Sequence, residues 1–480
     1  MDIKQLTALA ISAALAFVAL FLPPEFYHIQ NLSVIEQRVI AIFIFAALMW
    51  ISEAIPIWAT SVVVIVLMLL TVSDSSILFL RGGNVEGGRA FGKLLSSTAI
   101  IAAFADPIIM LFLGGFALAI GAGKCGLDRN LARILFKPFG KKSSSVLLGL
   151  MFVTAVFSMF MSNTATAAMM FAVMGPVLNS IDKGEKGVIA LVLAIPIAAN
   201  IGGIGTPIGT PPNAIALKYL NDPSGLNLGI GFGQWMLVMA PFVIVVILLA
   251  WAILKTLFPF LSKELDVSFD GELEKSPKSY IVCATFIITV SLWMLDKLTG
   301  INSNVVAMIP IAVFAATGIM GKEDLKQINW DVLWLVAGGF ALSIGLHDSG
   351  LADNLVGSIP FHKWPPIGTI IGAGLLCYAM STFLSNTATA ALLISVLAAV
   401  ATGMGDTIKP FGGVSTLLLG VALSASLAMA LPISTPPNAI AHSVGLTTQK
   451  QMASIGLTVG AIGFALGYML LFALGRANYF

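Results

Sequence analysis

Charged side chains are scarce in this sequence: of its 480 residues only 10% are Asp, Glu, Lys or Arg, while 58% are hydrophobic. A soluble domain has about a quarter of its residues charged, so this scarcity excludes an ordinary water-exposed globular surface. The formal net charge of +2 is also too small to indicate a nucleic-acid partner. The chain therefore needs lipid as part of its solvent.

Cysteine and histidine are also sparse. Cys125, Cys283 and Cys377 occur singly, without C-x-x-C spacing, and an odd number cannot all pair, so we interpret them as packing residues. The four histidines form no H-E-x-x-H motif or other ligand cluster, which argues against a transition-metal site. No nucleophile, base and orienting group stand at a recognisable spacing, so the sequence does not predict an enzyme.

Long apolar runs are present instead. They include residues 6–22, 39–71, 236–254 and 457–474, and Glu53 and Pro56 interrupt the second of them. A helix of about 20 residues crosses the hydrocarbon core, which these runs can supply. The first run ends at Pro23-Pro24 without a cleavage pattern, so we interpret it as a transmembrane helix and not as a signal peptide. The runs lack the alternation of barrel strands, so the sequence predicts an all-α polytopic protein of a bacterial inner membrane, with about 11 transmembrane helices.

Three peptide segments occur twice at a nearly constant offset. GGFALAIG at 114–121 returns as GGFALSIG at 338–345, SNTATAA at 162–168 returns identically at 385–391, and TPPNAIA at 210–216 returns identically at 435–441. The chain is therefore two copies of one unit of about 220 residues. The polar segment 262–278 joins them. We assign the glycine-rich copies to close helix packing, because small residues let helices approach each other.

The two copies differ in the charge of one loop. Before the first SNT, the loop holds one acid, Asp128, and six basic residues: Lys124, Arg129, Arg133, Lys137, Lys141 and Lys142. The matching loop 347–366 holds Lys363 against Asp348 and Asp353. Positively charged loops stay in the cytoplasm, so we predict that the second copy is inverted relative to the first and that the N-terminus is cytoplasmic. A parallel duplication is the alternative.

Both copies interrupt their helices at two corresponding places. Residues 142–182 and 366–405 are apolar on both sides of SNT, which predicts two re-entrant helical hairpins with this motif at the tip. Pro211-Pro212 and Pro436-Pro437 each remove two consecutive amide donors, which predicts a discontinuous helix in each copy. Paired interruptions in corresponding halves indicate a binding site near the middle of the bilayer.

The residues at these interruptions are small, neutral and rich in oxygen. Free backbone carbonyls, Ser hydroxyls and Asn amide oxygens suit sodium, whereas helix N-termini, hydroxyl protons and the Asn amide NH2 group suit a carboxylate. Ser158 and Ser381 lie one helical turn before the two motifs and can direct a hydroxyl to the same ion. No Lys or Arg lies inside either motif. Binding of a divalent anion would then need the charge of the cations, which is a physical reason for coupling.

A structural explanation exists for each motif alone, because Ser and Thr often satisfy carbonyls inside membrane helices and proline kinks are common there. Identical copies in equivalent places favour the functional interpretation. Glu53, in WISEAIPIW, and Asp331, in INWDVLW, lie beside apolar stretches. An acid within the membrane is a functional candidate, but both residues are near predicted helix ends, so capping or pairing with a lysine is an equal alternative.

The doubled SNT and TPPN motifs resemble those of the divalent anion/sodium symporter family, whose members carry dicarboxylates, tricarboxylates or sulfate. The resemblance extends over essentially the whole chain. It implies a homodimer in which a scaffold domain holds the dimer interface and a transport domain slides through the bilayer as an elevator. It implies four segments: 1–126, scaffold helices of the first repeat; 127–261, the first hairpin and broken helix; 262–350, linker and scaffold helices of the second repeat; and 351–480, the second hairpin, the second broken helix and the last helix.

The family motif also implies the site residues. The substrate would contact Ser162, Asn163, Thr164, Thr210 and Pro211 in the first copy, and Ser385, Asn386, Thr387, Thr435 and Pro436 in the second. One sodium ion would be bound by Ser158, Ser162, Asn163 and Gly209, and another by Ser381, Leu384, Asn386 and Ser434. Gly209 and Leu384 could contribute only carbonyl oxygens.

The function that the resemblance implies is sodium-coupled import of C4 dicarboxylates such as succinate, malate or fumarate. Family exchangers that work without sodium would be expected to place cationic side chains at the ion sites, whereas Ser158 and Ser381 keep an oxygen in both. Sodium-independent exchange, proton coupling, and a citrate or sulfate carrier remain alternatives. A channel would differ from all of these because it could not accumulate substrate.

Overall fold

The computed structural model describes residues 3–82, 89–181, 185–222, 226–265, 276–477 and 479. The structure is 78% helical, and the described residues form no β-strand. The α-helices are α1 Ile3–Phe21, α2 Val34–Ser52, α3 Ile57–Thr71, α4 Ser97–Ala102, α5 Pro107–Lys124, α6 Leu127–Phe136, α7 Ser143–Phe160, α8 Asn163–Ser180, α9 Lys186–Gly203, α10 Pro211–Leu220, α11 Phe232–Leu257, α12 Pro277–Met294, α13 Asp296–Thr299, α14 Ser303–Val306, α15 Met308–Ala316, α16 Lys322–Leu325, α17 Trp330–Asp348, α18 Leu351–Ser358, α19 Pro366–Phe383, α20 Asn386–Met404, α21 Gly413–Leu427, α22 Pro436–Ser443 and α23 Gln449–Arg476.

Among the described residues, eleven helical segments are long and apolar enough to cross a membrane, by length and composition. This confirms the predicted all-α membrane protein. The predicted run 39–71 is divided into α2 and α3, because Glu53 ends α2 in a left-handed conformation (φ 47°) and Pro56 precedes α3. The eleven segments include three hairpin arms, α7, α19 and α20, whereas the prediction counted the two hairpins in addition to about 11 transmembrane helices.

Helices α3 and α17 run in the same direction. Gly338 of α17 lies against Ser61 of α3, and one heptad further along both helices Gly345 lies against Met68. A Cβ atom at Gly338 would collide with Ser61, so the glycine is what permits this approach. In the first copy Gly114 likewise lies against the backbone of Ala307, which confirms the packing role predicted for the repeated GGFAL segments.

The segment α4–α5 runs in the opposite direction to α3. The Leu95 N–H donates to the Val72 carbonyl at 2.9 Å, which places the C-terminal end of α3 beside the start of α4. Because α17 is parallel to α3, it is antiparallel to α5, its own sequence copy. The halves are therefore inverted, as predicted, and a parallel duplication is wrong. The ion pair between Lys124 Nζ and Asp324 Oδ2, 2.7 Å apart, joins the end of α5 to the segment before α17.

The predicted breaks lie between consecutive helices. Only residues 161–162 separate α7 from α8, and only 384–385 separate α19 from α20. Unwound links, 204–210 and 428–435, separate α9 from α10 and α21 from α22. The halves interlock at these links, because α10 packs against α20 and α21 of the second half while α22 packs against α8 and α9 of the first.

The proposed scaffold and transport segments remain predictions. Their limits at 126, 261 and 350 fall between helices. Most of the polar joining segment, residues 266–275, lies outside the described residues.

Candidate functional site

A cavity of about 940 Å³ lies where the hairpin tips and the unwound links meet. All ten residues predicted to contact the substrate line it: Ser162, Asn163, Thr164, Thr210, Pro211, Ser385, Asn386, Thr387, Thr435 and Pro436. Glu53 and Asp331 line the same cavity, and no Lys, Arg or His is among the described residues around it. The structure thus brings both halves to one site whose wall has no described positive side chain.

Four helices begin at this cavity: α8, α10, α20 and α22. Ser162 caps α8, where its Oγ accepts the Ala165 N–H at 3.2 Å, and Ser385 caps α20, where its Oγ accepts the Ala388 N–H at 3.4 Å. The first amide groups of a helix point outward and have a partial positive charge. Their convergence favours an anion in the cavity without any charged side chain.

The residues predicted for the first sodium ion meet at the end of α7. The Ser158 hydroxyl is buried and donates to the Ala199 carbonyl at 2.7 Å. One terminal atom of the Asn163 amide lies 2.6 Å from Ser158 Oγ and 3.2 Å from the carbonyl oxygens of Ala199 and Gly209. Three oxygens thus surround this terminal atom, which makes it the NH2 end of the amide here. The same three oxygens would suit a hard cation once the amide turns away. Ser162, the fourth predicted ligand, uses one lone pair in its helix cap.

A glycine keeps this point open. A Cβ atom at Gly203 would lie 2.7 Å from this terminal atom of the Asn163 amide and 3.0 Å from the Gly209 carbonyl oxygen. Such distances are too short for a carbon atom, so only glycine leaves the oxygens free to contact an ion here. Neither Gly203 nor the Ala199 carbonyl was among the predicted ligands.

The second predicted ion site has the corresponding place in the other half. Ser381 is fully buried, and Asn386 Oδ1 is buried without a hydrogen-bond partner among the described residues. Leaving a buried oxygen unpaired costs about 1–3 kcal/mol, which a bound cation would offset. Ser434 Oγ donates to the Thr382 carbonyl at 2.6 Å, and Leu384 ends α19. The residues present therefore fit sodium at both sites.

The asparagines of TPPN have a role that sequence reasoning missed. Asn213 Nδ2 donates to the carbonyls of Gly203 at 3.0 Å and Thr206 at 2.9 Å, and Asn438 Nδ2 donates to those of Met429 at 2.7 Å and Leu431 at 2.9 Å. These carbonyls lie within the unwound links or, for Gly203, at the end of the helix before one, and have lost their helical partners. The asparagines thus stabilise the breaks that the prolines begin.

Asn200 was also missed. It lies on α9, is buried, and lines the cavity, and its Nδ2 donates to Thr435 Oγ1 at 3.1 Å and to Asn438 Oδ1 at 3.2 Å. It therefore connects the first half directly to the TPPN motif of the second. A lone amide inside the apolar run of α9 was the available sequence signal.

Comparisons with known proteins agree with this architecture. A sequence model of the citrate transporter family matches residues 47–418. The chain is 30% identical over 462 residues to an uncharacterized transporter of Haemophilus influenzae, covering 91% of this chain and 92% of that protein. It is 32% identical over 480 residues to the sodium-dependent dicarboxylate transporter SdcS of Staphylococcus aureus, covering 91% of this chain and 85% of that protein.

Among solved structures, that of Neisseria gonorrhoeae MtrF, described with a class of antimetabolite efflux pumps, aligns with a TM-score of 0.50 at 14% identity. The alignment covers 87% of this chain and 94% of that one, and at this identity it indicates the fold alone. The sequence relatives are more informative, because they match over most of the length, including both copies of the repeat. The chain belongs to the citrate transporter family, within the divalent anion/sodium symporters that its repeated motifs resemble.

Proposed function

We propose that this protein is a secondary active transporter that imports C4 dicarboxylates, such as succinate, malate and fumarate, together with sodium ions. The observation that supports this most directly is the convergence of four helix N-termini on a cavity lined by Glu53 and Asp331 and by no described basic residue. Helix N-termini favour an anion, but beside two acids they attract a dianion weakly. Bound sodium supplies the missing positive charge, so substrate binding depends on it.

About two sodium ions would be held by protein groups. Ser158, Ser162, Asn163 and Gly209 would form the first site, and Ser381, Leu384, Asn386 and Ser434 the second. The crowded oxygens around Asn163 and the unpaired Asn386 Oδ1 support this assignment. The substrate would bind between the SNT and TPP segments of the two halves, where hydroxyl protons, amides and helix N-termini face the cavity.

The choice of substrate rests on the relatives. SdcS is named a sodium-dependent dicarboxylate transporter, which supports a C4 dicarboxylate. The matching family is described by citrate transport, so citrate is the second candidate. Sodium-independent exchange is less well supported, because Ser158 and Ser381 offer oxygen where an exchanger would need a fixed cation.

We further propose a homodimer with an elevator movement, in which the hairpins and broken helices move as a unit past the remaining helices. The interlocking of α10 with α20–α21, and of α22 with α8–α9, supports a transport domain built from both halves. The basic loop 124–142 would face the cytoplasm. The cavity reaches two exposed acids, Glu53 between α2 and α3 and Asp331 at the start of α17. Lys124, at the beginning of the basic loop, pairs with Asp324 just before α17, which supports placing these acids on the face of the loop, so the cavity would open inward here.

Uptake by the purified protein in proteoliposomes tests the function. Labelled succinate is supplied with an inward sodium gradient or with potassium, alone or against excess succinate, citrate, glutamate or sulfate. We expect accumulation only with sodium and the strongest competition by succinate. Equal uptake in both salts would indicate exchange, stronger competition by citrate would indicate a citrate carrier, and flux that never accumulates substrate would indicate a channel.

Two site variants connect this activity to the cavity. Asn163→Ala and Asn386→Ala remove the amides at the two hairpin tips, and each is expected to abolish sodium-driven uptake while the protein stays folded. Asn354→Ala is the matched control, because its Nδ2 donates to Glu36 Oε1 away from the cavity. Full uptake by either tip variant contradicts the assigned site.

A further inference from the structure

A chain of side-chain amides near the cavity starts at two backbone carbonyls. Asn438 Nδ2 donates to the carbonyls of Met429 and Leu431, at 2.7 and 2.9 Å. A carbonyl oxygen can only accept a hydrogen bond, so Asn438 must turn its NH2 group toward them. Its Oδ1 must then point the other way. The orientation of this amide is therefore fixed, because a carbonyl oxygen cannot act as a donor.

The next amide follows from the first. Asn438 Oδ1 lies 3.2 Å from Asn200 Nδ2, and an oxygen that accepts requires a donor opposite it. Asn200 must therefore present its NH2 group on this side. The second proton of the same NH2 group is donated to Thr435 Oγ1 at 3.1 Å. Asn200, Thr435 and Asn438 are all buried, so water does not compete freely for these bonds.

The Thr435 hydroxyl then has only its proton left for a further hydrogen bond. Its oxygen accepts the Asn200 amide and also the backbone N–H of Asn438, at 3.4 Å. A hydroxyl has two lone pairs and one proton, so both acceptor positions are occupied. The structure shows no acceptor for the proton among the described residues, and Thr435 lines the cavity. The proton therefore points toward the space that an anion would enter.

We propose that Asn200 is a positioning residue that holds Thr435 as a hydrogen-bond donor to a carboxylate oxygen of the substrate. This inference rests on the proposed function and adds a residue to it. Asn200 acts through Thr435: it occupies one lone pair while the Asn438 N–H occupies the other, so the hydroxyl cannot turn and face the anion with its own oxygen. A donor held in advance loses less rotational freedom on binding than a free hydroxyl does.

The TPPN motif of the first half lacks an equivalent of this arrangement. The repeat offset places Ala425 of α21 where Asn200 stands on α9, and an alanine cannot donate from its side chain. Asn213, the counterpart of Asn438, accordingly has a buried Oδ1 without a partner among the described residues. Thr210, the counterpart of Thr435, makes no side-chain hydrogen bond in its helix cap. The cavity thus has a held donor hydroxyl on one side only, and the two ends of a dicarboxylate would be recognised differently.

A double-mutant cycle tests the inference. Asn200→Leu removes the donor at similar volume, and Thr435→Val removes the hydroxyl at the same shape. The KM for labelled succinate is measured for each variant and for the double variant in sodium-driven proteoliposomes. We expect each single change to raise the KM about tenfold, as the loss of a hydrogen bond to a charged group does, with the maximal rate retained. We expect the double variant to be no worse than Thr435→Val.

A matched cycle uses Thr210→Val in place of Thr435→Val. Here the effect of Asn200→Leu on the KM should multiply with that of Thr210→Val, because the side-chain hydrogen bonds of Asn200 among the described residues go to Thr435 and Asn438. Independent, multiplying effects of Asn200→Leu and Thr435→Val would overturn the proposal. So would an unchanged KM in Asn200→Leu.

Folding is checked separately by the rise in thermal stability that sodium gives without substrate. A merely structural role for Asn200 would reduce this rise, whereas a positioning role leaves it intact. If Asn200→Leu does not fold, Asn200→Ser is used in the same two cycles with the same expected pattern. If the wild-type protein prefers another anion to succinate, the cycles are measured with that anion. A wrong substrate and a wrong role for Asn200 therefore give different results.

Discussion

At the residue scale, the asparagines of the two repeated motifs have different partners. Asn213 and Asn438 donate to carbonyls of the unwound links, whereas Asn163 and Asn386 face the predicted ion sites. An amide can donate and accept without a net charge. A site built from amides and hydroxyls therefore leaves little fixed charge within the membrane when no ion or substrate is bound.

Ser158→Ala is expected to raise the sodium concentration for half-maximal uptake about tenfold, because the variant loses one oxygen from a cluster that includes Asn163 and the Gly209 carbonyl. The measurement is succinate uptake as a function of sodium concentration. Ser395→Ala is the control, since this buried serine donates to the Ala391 carbonyl outside the cavity lining. The assignment of the hydroxyl as a ligand is wrong if both variants keep the wild-type sodium curve.

At the element scale, the two kinds of helix break, the hairpin tips and the unwound links, are stabilised by different interactions. The hairpin tips rely on serine caps at the start of α8 and α20, and the unwound links rely on proline followed by an asparagine that binds free carbonyls. Close approach of α9 to the first tip then depends on glycine. A Cβ atom at Gly202 would meet the backbone of Ala155, and one at Gly203 would meet Asn163.

Gly203→Ala should weaken sodium binding about tenfold or more, because the added methyl group occupies the space beside Asn163 and the Gly209 carbonyl. The rise in thermal stability with sodium, compared with potassium, measures this directly. Gly175→Ala on α8 is the matched control, because a Cβ atom there meets nothing within 4 Å. A sodium response in Gly203→Ala equal to that of the control would refute the predicted geometry.

At the scale of the whole molecule, the inverted repeat produces two related cavities. Leu335 and Pro432 line the main cavity, while their repeat counterparts Leu111 and Pro207 line a second cavity of about 550 Å³. No hairpin-tip residue is among the described residues that line the second cavity. Under the proposed elevator movement, the substrate would reach the opposite face through this second space.

An ion pair spans the second cavity. Lys218 Nζ on α10 lies 2.7 Å from Asp106 Oδ2 at the start of α5, and 5.8 Å from the ring centre of Phe340. The aspartate is the more buried partner, with 8% of its side chain exposed against 30% for the lysine. Because α10 would move relative to α5, this pair favours the arrangement seen here.

Lys218→Gln should shift the population away from this arrangement about fivefold, the equivalent of about 1 kcal/mol for a partly exposed pair. The shift is measured as slower labelling of a cysteine introduced at Ile433, an exposed residue of the main cavity, by a membrane-impermeant thiol reagent supplied on the cytoplasmic side. Lys124→Gln is the control, because its partner Asp324 belongs to the same predicted scaffold. Equal labelling rates in the two variants would contradict the proposed movement.

The sequence alone determined the helical membrane class, the inverted duplication, and the places where the helices break. Each is a local or periodic property: the length of an apolar run, a proline without an amide proton, a loop rich in lysine, a peptide that occurs twice. The repeated peptides also carried the family resemblance that implied the ten substrate-contact residues, and all ten line the cavity. Such local properties could not lead to Asn200, Gly203 or the Ala199 carbonyl, because each acts through a neighbour that is distant in the chain or through a backbone oxygen that every residue has.

The tertiary structure alone decided which groups face each other. It placed Glu53 and Asp331, whose role the sequence left open between function, capping and ion pairing, in the cavity wall. It also set Asn200 of one half against Thr435 of the other. It also gave the two identical TPPNAIA segments different surroundings. Asn200 donates to the second copy, whereas its repeat counterpart Ala425 has no side-chain donor for the first. The physical reason is that hydrogen bonding depends on distance and direction in space, and two interlocked halves bring together residues that lie more than 200 positions apart.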